Sequence, residues 1–281
     1  MPVLERRGEP SIHYTVDDYT DPWRDRPFLI LQHGYGRSGR FWYSWVPYLS
    51  RFFRVVRPDL RGLGNSSSRL DLETGLSVEA YVSDLVALIE ALGDKPVHYC
   101  GESLGGIIGM ALAAEHRGLL RTLSLVAAPV EINADTQRTF AFGHATWQEA
   151  LQAMGARGWA EAANSATRFP ADTDPGLLRW YADEMGRSEV EVLVAMSRLA
   201  SRVDARPYLP RIECPVLGLY PANAPVTIQS QEEELQRGIR DLRIVHVPSR
   251  HHTIQNILPK LCAQQVLYFA AQRDGISCDE A

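Results

Sequence analysis

The stretch VHYCGESLGGIIGMALAAEH, Val97–His116, decides how this chain is read. VHYC has the short apolar run of a buried strand, and the residues after the glycines have the composition of a helix. Between them stands Gly101-Glu102-Ser103-Leu104-Gly105, a G-x-S-x-G in a strand–turn–helix setting. Such a turn is tight enough to strain the backbone of its central serine and to require small residues two positions away. Gly101 and Gly105 meet that demand. The strain lifts the Ser103 hydroxyl clear of the sheet's carboxyl edge, where the positive end of the new helix points. Ser103 is the candidate nucleophile. A glycine-rich turn without function is the alternative, and the flanking strand and helix weigh against it.

Working outward, apolar runs alternate with amphipathic stretches, the mark of an α/β fold with a mostly parallel sheet flanked by helices. FLILQ (28–32), FRVVRPD (53–59), TLSLVA (122–127), PVLGLY (215–220) and RIVHVP (243–248) read as further strands. SVEAYVSDLVALIEALG reads as a helix with Ser77 as N-cap and Gly93 at its end. ILPKLCAQQVLYFAAQR reads as a closing amphipathic helix. Between Val130 and Pro210 only helical patterns occur. This predicts a helical cap at 130–210 inserted into a core made of residues 1–129 and 211–281. The insertion holds Phe140, Phe142, Trp147, Trp159, Phe169, Trp180 and Tyr181, most expected in its own core and one or two facing a ligand.

The 281 residues are 45% hydrophobic and 22% charged, enough to bury a sizeable core. A net charge of −5 offers no basic stripe for nucleic acid. There is no run of about eighteen apolar residues to span a membrane. The start of the chain lacks the apolar core of a signal peptide, and Cys100, Cys214, Cys262 and Cys278 form no CxxC pair. A cytoplasmic location is expected. No metal or organic cofactor is implied, since there is no ligand cluster and RGLGNS lacks the first G-x-G of a dinucleotide loop. On self-association the sequence is silent, and a homodimer stays open.

Two more segments join Ser103. His33-Gly34-Tyr35-Gly36 follows directly on FLILQ. Acyl transfer needs pre-aimed N–H donors for its tetrahedral oxyanion, each worth about 3 kcal/mol. The backbone N–H groups of Leu104 and Tyr35 are the expected donors. VPSRHHTIQNILP supplies two adjacent histidines, His251 and His252, of which one is the base.

The order HGYG, RPDLRGLGNSS, GESLGG, helical insertion and late histidine resembles the α/β-hydrolase superfamily, over about Ile12 to Gln272. The resemblance implies a Ser–His–acid hydrolase. With Pro248 and Pro259 as markers, it puts the base at His252, and His251 then stands where the family has glycine. The acid is the difficulty. Its usual position falls on Ala224, and a second family position falls near Ala127 or Ala128. Glu131 is the first carboxylate beyond and is the expected acid, with Asn223 as the other candidate and Asp135 and Asp204 as further options.

Among relatives, the Asp-nucleophile dehalogenases and epoxide hydrolases are ruled out by Ser103. C–C bond hydrolases are disfavoured by Thr253-Ile254-Gln255 after the histidine. The expected substrate is a small molecule with an ester or lactone bond, an amide being the alternative, and a hydrophobic or aromatic body. Arg37 and Arg40 are either receivers of a substrate carboxylate or solvated ion-pair residues. Two other classes stay open: a lyase or cofactor-free oxygenase on the same scaffold, and a binding protein with weakened catalysis.

Overall fold

The computed structural model describes residues 2–93, 95–222 and 224–278. Its eight strands are β1 (Val3–Leu4), β2 (Ile12–Asp17), β3 (Phe28–Gln32), β4 (Arg54–Pro58), β5 (Val97–Glu102), β6 (Leu120–Val126), β7 (Val216–Pro221) and β8 (Leu242–Val247). They form one sheet in the order β1-β2-β4-β3-β5-β6-β7-β8, antiparallel at β1–β2–β4 and parallel from there on. Chain connections leave β3 toward β4 but leave β5 toward β6. The carboxyl ends of β3 and β5 therefore flank the point where direction reverses, where open α/β sheets bind ligands.

The ten helices run α1 (Val46–Leu49), α2 (Val78–Leu92), α3 (Leu104–Glu115), α4 (Ala134–Ala141), α5 (Trp147–Ala163), α6 (Pro175–Met185), α7 (Val190–Ala200), α8 (Gln229–Gly238), α9 (Ile254–Ile257) and α10 (Pro259–Asp274) among the described residues. Local chemistry sets their ends. The Ser77 hydroxyl accepts from Ala80 N–H at the start of α2, and Gly93 ends it at φ 76°. Asn133 and Thr146 cap α4 and α5 in the same way. The parallel strands β3, β5 and β7 are buried throughout, which is why they read as unbroken apolar runs rather than alternations.

Helices α4 to α7 all lie between β6 and β7 in the chain. The helical pattern at 130–210 meets two interruptions. Gly155 leaves helical geometry at φ 70°, and Asn164–Arg168 forms a π-helical turn. A π turn widens the coil by one residue and is common beside functional sites. This one reaches the sheet's edge: Thr167 C=O accepts from His252 N–H at 2.9 Å, and Arg168 C=O accepts from the Thr253 hydroxyl at 2.6 Å. No helix among the described residues is long and apolar enough to cross a membrane.

Candidate active site

Ser103 stands at φ 53°, ψ −120°, in a region that side-chain-bearing residues rarely adopt. Its neighbours over-determine that geometry. Ser103 N–H donates to Val126 C=O at 3.0 Å, tying the turn to β6. A Cβ on Gly101 would lie 2.3 Å from Gly105 O, and one on Gly105 would lie 2.6 Å from Gln32 O. Only glycine lets β5, the turn and the end of β3 approach this closely.

The HGYG loop sits directly against the turn. A Cβ on Gly34 would meet Glu102 O at 2.7 Å and Ser103 Cβ at 3.0 Å. His33 fixes the loop from below. Its Nε2 accepts from Leu60 N–H at 3.0 Å, so Nδ1 carries the proton and donates to Gly34 C=O at 2.8 Å. Burial agrees with this neutral form, pushing the imidazole pKa down to about 4. The backbone N–H groups of Tyr35 and Leu104 have no partner among the described residues. Leu104 is the first residue of α3, so its N–H is one that no helix satisfies internally. The Tyr35 side chain turns away, its hydroxyl donating to Leu193 C=O at 2.8 Å.

Ser103, Leu104, Tyr35 and His252 line one narrow cavity of about 30 Å³, together with Arg37, Arg168 and the apolar side chains Ile107, Phe140, Trp147 and Trp159. Three of the insertion's aromatics thus face the site. Trp180 and Phe169 instead pack against Phe41 and Tyr181. Ser103 and His252 share the cavity without a hydrogen bond between them among the described residues. Catalytic contacts of this kind often tighten only when substrate is present. A wider cleft of about 820 Å³ between the β2–β4 edge and α6 shares no lining residue with this cavity and holds no serine.

The acid expected from sequence is not at the imidazole. Glu131 pairs with Arg206 at 2.9 Å, and its side chain is 38% exposed. Its backbone bridges to Asp204, so the chain turns it outward along the insertion's entry. Asp135 and Asp204 are engaged by Arg138 and Arg206 on the surface. Asn223 lies outside the described residues. The carboxylate near the base is Glu102, next to the nucleophile in sequence and 1% exposed, with Oε1 3.5 Å from His252 Nε2. Its Oε2 lies 2.6 Å from Arg37 Nη1, an ion pair without good hydrogen-bond alignment. Burial draws the Arg37 guanidinium down, and Glu102 more than offsets this. Arg40 belongs elsewhere, half exposed and paired with Glu184 at 2.8 Å. His251 lies outside the cavity lining and is only half buried.

Two residues of this cluster escaped the sequence reading. The signal for Glu102 was present: a charged residue at the end of an otherwise apolar buried strand must find a partner. Arg168 gave none, because its neighbourhood depends on the π turn. Burial, together with the charges of Arg37 and Arg168, holds the His252 imidazole well below its ordinary pKa, so it rests neutral and ready to accept a proton.

Comparisons with known proteins agree with this sheet and its flanking helices. Residues 27–165 match the family described as alpha/beta hydrolase fold. The chain belongs to the α/β-hydrolase superfamily. An Escherichia coli O44:H18 (strain 042 / EAEC) protein, provisionally named carbamate hydrolase RutD, is 29% identical over 207 residues, 69% of this chain and 72% of that one. A hydrolase from Pseudomonas aeruginosa PA01 superposes with a TM-score of 0.81 at 25% identity, covering 95% of this chain and 97% of its own. The enol-lactonase from Burkholderia xenovorans LB400 superposes at 0.84 with 24% identity, covering 95% and 99%, a likeness of fold.

Proposed function

We propose that this α/β-hydrolase is a serine hydrolase cleaving an ester or lactone of a small molecule with an apolar body, with residues 130–210 acting as a cap over the core of residues 1–129 and 211–281. The observation that carries the reading is Ser103 on its strained turn, in one narrow cavity with His252 and beside the N–H groups of Tyr35 and Leu104, which have no partner among the described residues.

In the proposed mechanism, His252 takes the Ser103 proton as Oγ attacks the substrate carbonyl. The Tyr35 and Leu104 N–H groups receive the oxyanion, with the α3 N-terminus behind them. The protonated His252 gives its proton to the departing alcohol, and the neutral imidazole then activates a water that releases the acid and restores Ser103. In this mechanism Glu102, whose Oε1 lies 3.5 Å from His252 Nε2, takes the role expected of Glu131 and steadies the imidazolium that forms. It acts through His252 and is a positioning residue. A carbamate, the bond in the E. coli relative's name, presents the same kind of carbonyl carbon and supports acyl chemistry here.

The cavity holds at most two or three waters at about 30 Å³, so substrate entry requires the insertion to open. The test is labelling by a fluorophosphonate, with the adduct located by mass spectrometry, beside hydrolysis of short-chain p-nitrophenyl esters. Wild type is expected to label at Ser103 and to turn over, whereas Ser103→Ala does neither. A folded wild type that does not label sinks the mechanism.

A further inference from the structure

The cavity walls carry more positive charge than the protein neutralises. Arg37 has Glu102. Arg168 is 3% exposed and forms no ion pair among the described residues. Its Nη1 reaches Asn164 Oδ1 at 3.4 Å and Met185 Sδ, a weak acceptor, at 3.0 Å. Its Nε and Nη2 donate to nothing among the described residues. The rings of Trp159 and Tyr181, 5.1 and 5.4 Å from the guanidinium carbon, offset part of the cost of burying this charge. With His252 neutral, Arg37, Arg168 and Glu102 leave one positive charge in an apolar enclosure. Buried charges are ordinarily paired.

We propose that Arg168 seats a carboxylate of the substrate, so that the acyl compound attacked by Ser103 is a half-ester or a carboxylate-bearing lactone. This rests on the hydrolase reading of the same cavity. The guanidinium fork suits a carboxylate, which can accept two parallel N–H bonds. One surplus charge matches a monoanion. The second negative charge of a phosphate ester would find no matching cation there, since Arg37 is already paired with Glu102. Phe140, Trp147 and Trp159 leave the rest of the cavity apolar, fitting a short carbon chain between the carboxylate and the scissile carbonyl. The Arg168 side chain does not hold the histidine loop, because the bond to Thr253 is made by its backbone carbonyl. A side-chain substitution therefore separates binding from architecture.

The experiment is a calorimetric titration of Ser103→Ala protein, which cannot turn over, with monomethyl glutarate and with dimethyl glutarate. The same titrations are run on Ser103→Ala carrying Arg168→Met or Arg168→Lys. The half-ester should bind roughly ten- to a hundredfold more tightly than the diester, the worth of one charge-assisted pair. Arg168→Met should erase the difference, and Arg168→Lys should keep part of it. Equal binding of the two esters, no binding of either, or a preference that survives Arg168→Met overturns the proposal. Arg168→Met should melt no lower than its parent, because it removes a surplus charge; a structural role would lower the melting temperature. Should that variant fail to fold, Arg168→Lys carries the comparison. Fluorophosphonate labelling of the Ser103-intact protein reports separately. Labelled protein without the carboxylate preference sinks only this inference. Unlabelled protein with Arg168-dependent binding sinks only the hydrolase reading.

Discussion

Gly34→Ala tests whether the HGYG loop supplies an oxyanion donor. The new methyl would stand 2.7 Å from the Glu102 carbonyl oxygen, 2.8 Å from Glu102 Oε2 and 3.0 Å from Ser103 Cβ. Two of these three neighbours cannot give way: one is backbone at the end of β5 and the other is the strained serine. The HGYG loop must therefore retreat, by roughly half an ångström if ordinary packing distances are restored. That retreat carries the Tyr35 N–H away from the point where the oxyanion forms. Loss of one such donor costs about 3 kcal/mol, or on the order of a hundredfold in kcat. KM should move little, since the bond is made in the transition state and not in the bound substrate. The assay is steady-state hydrolysis of a p-nitrophenyl ester, with thermal melting to establish folding. A folded Gly34→Ala protein retaining kcat within about threefold refutes the assignment of Tyr35 N–H as a donor. A rise in KM with unchanged kcat refutes it equally, because the loop would then only shape the ground-state site.

Glu102→Gln should lower kcat and the melting temperature together, since Arg37 loses its buried partner at a cost of about 3–5 kcal/mol, whereas Glu131→Gln should leave kcat unchanged; calorimetry and steady-state kinetics on both decide which carboxylate serves His252. If His252 is the base, its active form is the neutral one, and burial with Arg37 and Arg168 holds its pKa well below the ordinary 6.5. The acid limb of kcat/KM should therefore lie below pH 6.5 and move to higher pH in Arg168→Met, which removes one of the depressing charges; a limb at or above 6.5 in wild type contradicts this. Ser77→Ala removes the cap of α2 and should cost about 1 kcal/mol of stability by chemical denaturation without altering kcat.

The parallel sheet was legible because its strands are buried on both faces and so read as apolar runs bounded by turns. The strands β1 and β2 escaped because a short antiparallel edge is half exposed, and IHYTVD carries no such run. The strained turn at Ser103 was legible because its motif is a backbone requirement: two glycines and a strand–helix change fix a turn from local sequence alone. His252 came from resemblance, and the structure places it in the cavity with Ser103. The carboxylate near it was misplaced because that role is defined in three dimensions. Glu102 sits on β5, His252 follows β8, and Arg37 follows β3, so no spacing links them. Glu131 looked right by sequence distance, but Arg206 and the bridge to Asp204 hold it at the surface.

The same cluster explains why the histidine loop and the insertion cannot be treated as separate parts. Two bonds cross from the π turn to the loop, one to the backbone N–H of His252 and one from the Thr253 hydroxyl. The π turn also carries Arg168, whose charge faces the imidazole. In the proposed mechanism, a movement of the insertion that displaced this turn would break those bonds and withdraw a positive charge from His252. His252 would then keep its place as base only while the turn stays docked. A carboxylate on Arg168 would then favour closure and cancel the charge that holds the imidazole down, at the moment when His252 must accept a proton. On that reading, substrate binding, closure and base strength would be coupled through the π turn Asn164–Arg168. The apolar walls contribute to that coupling by excluding water, since a buried charge pair is worth more where no solvent screens it.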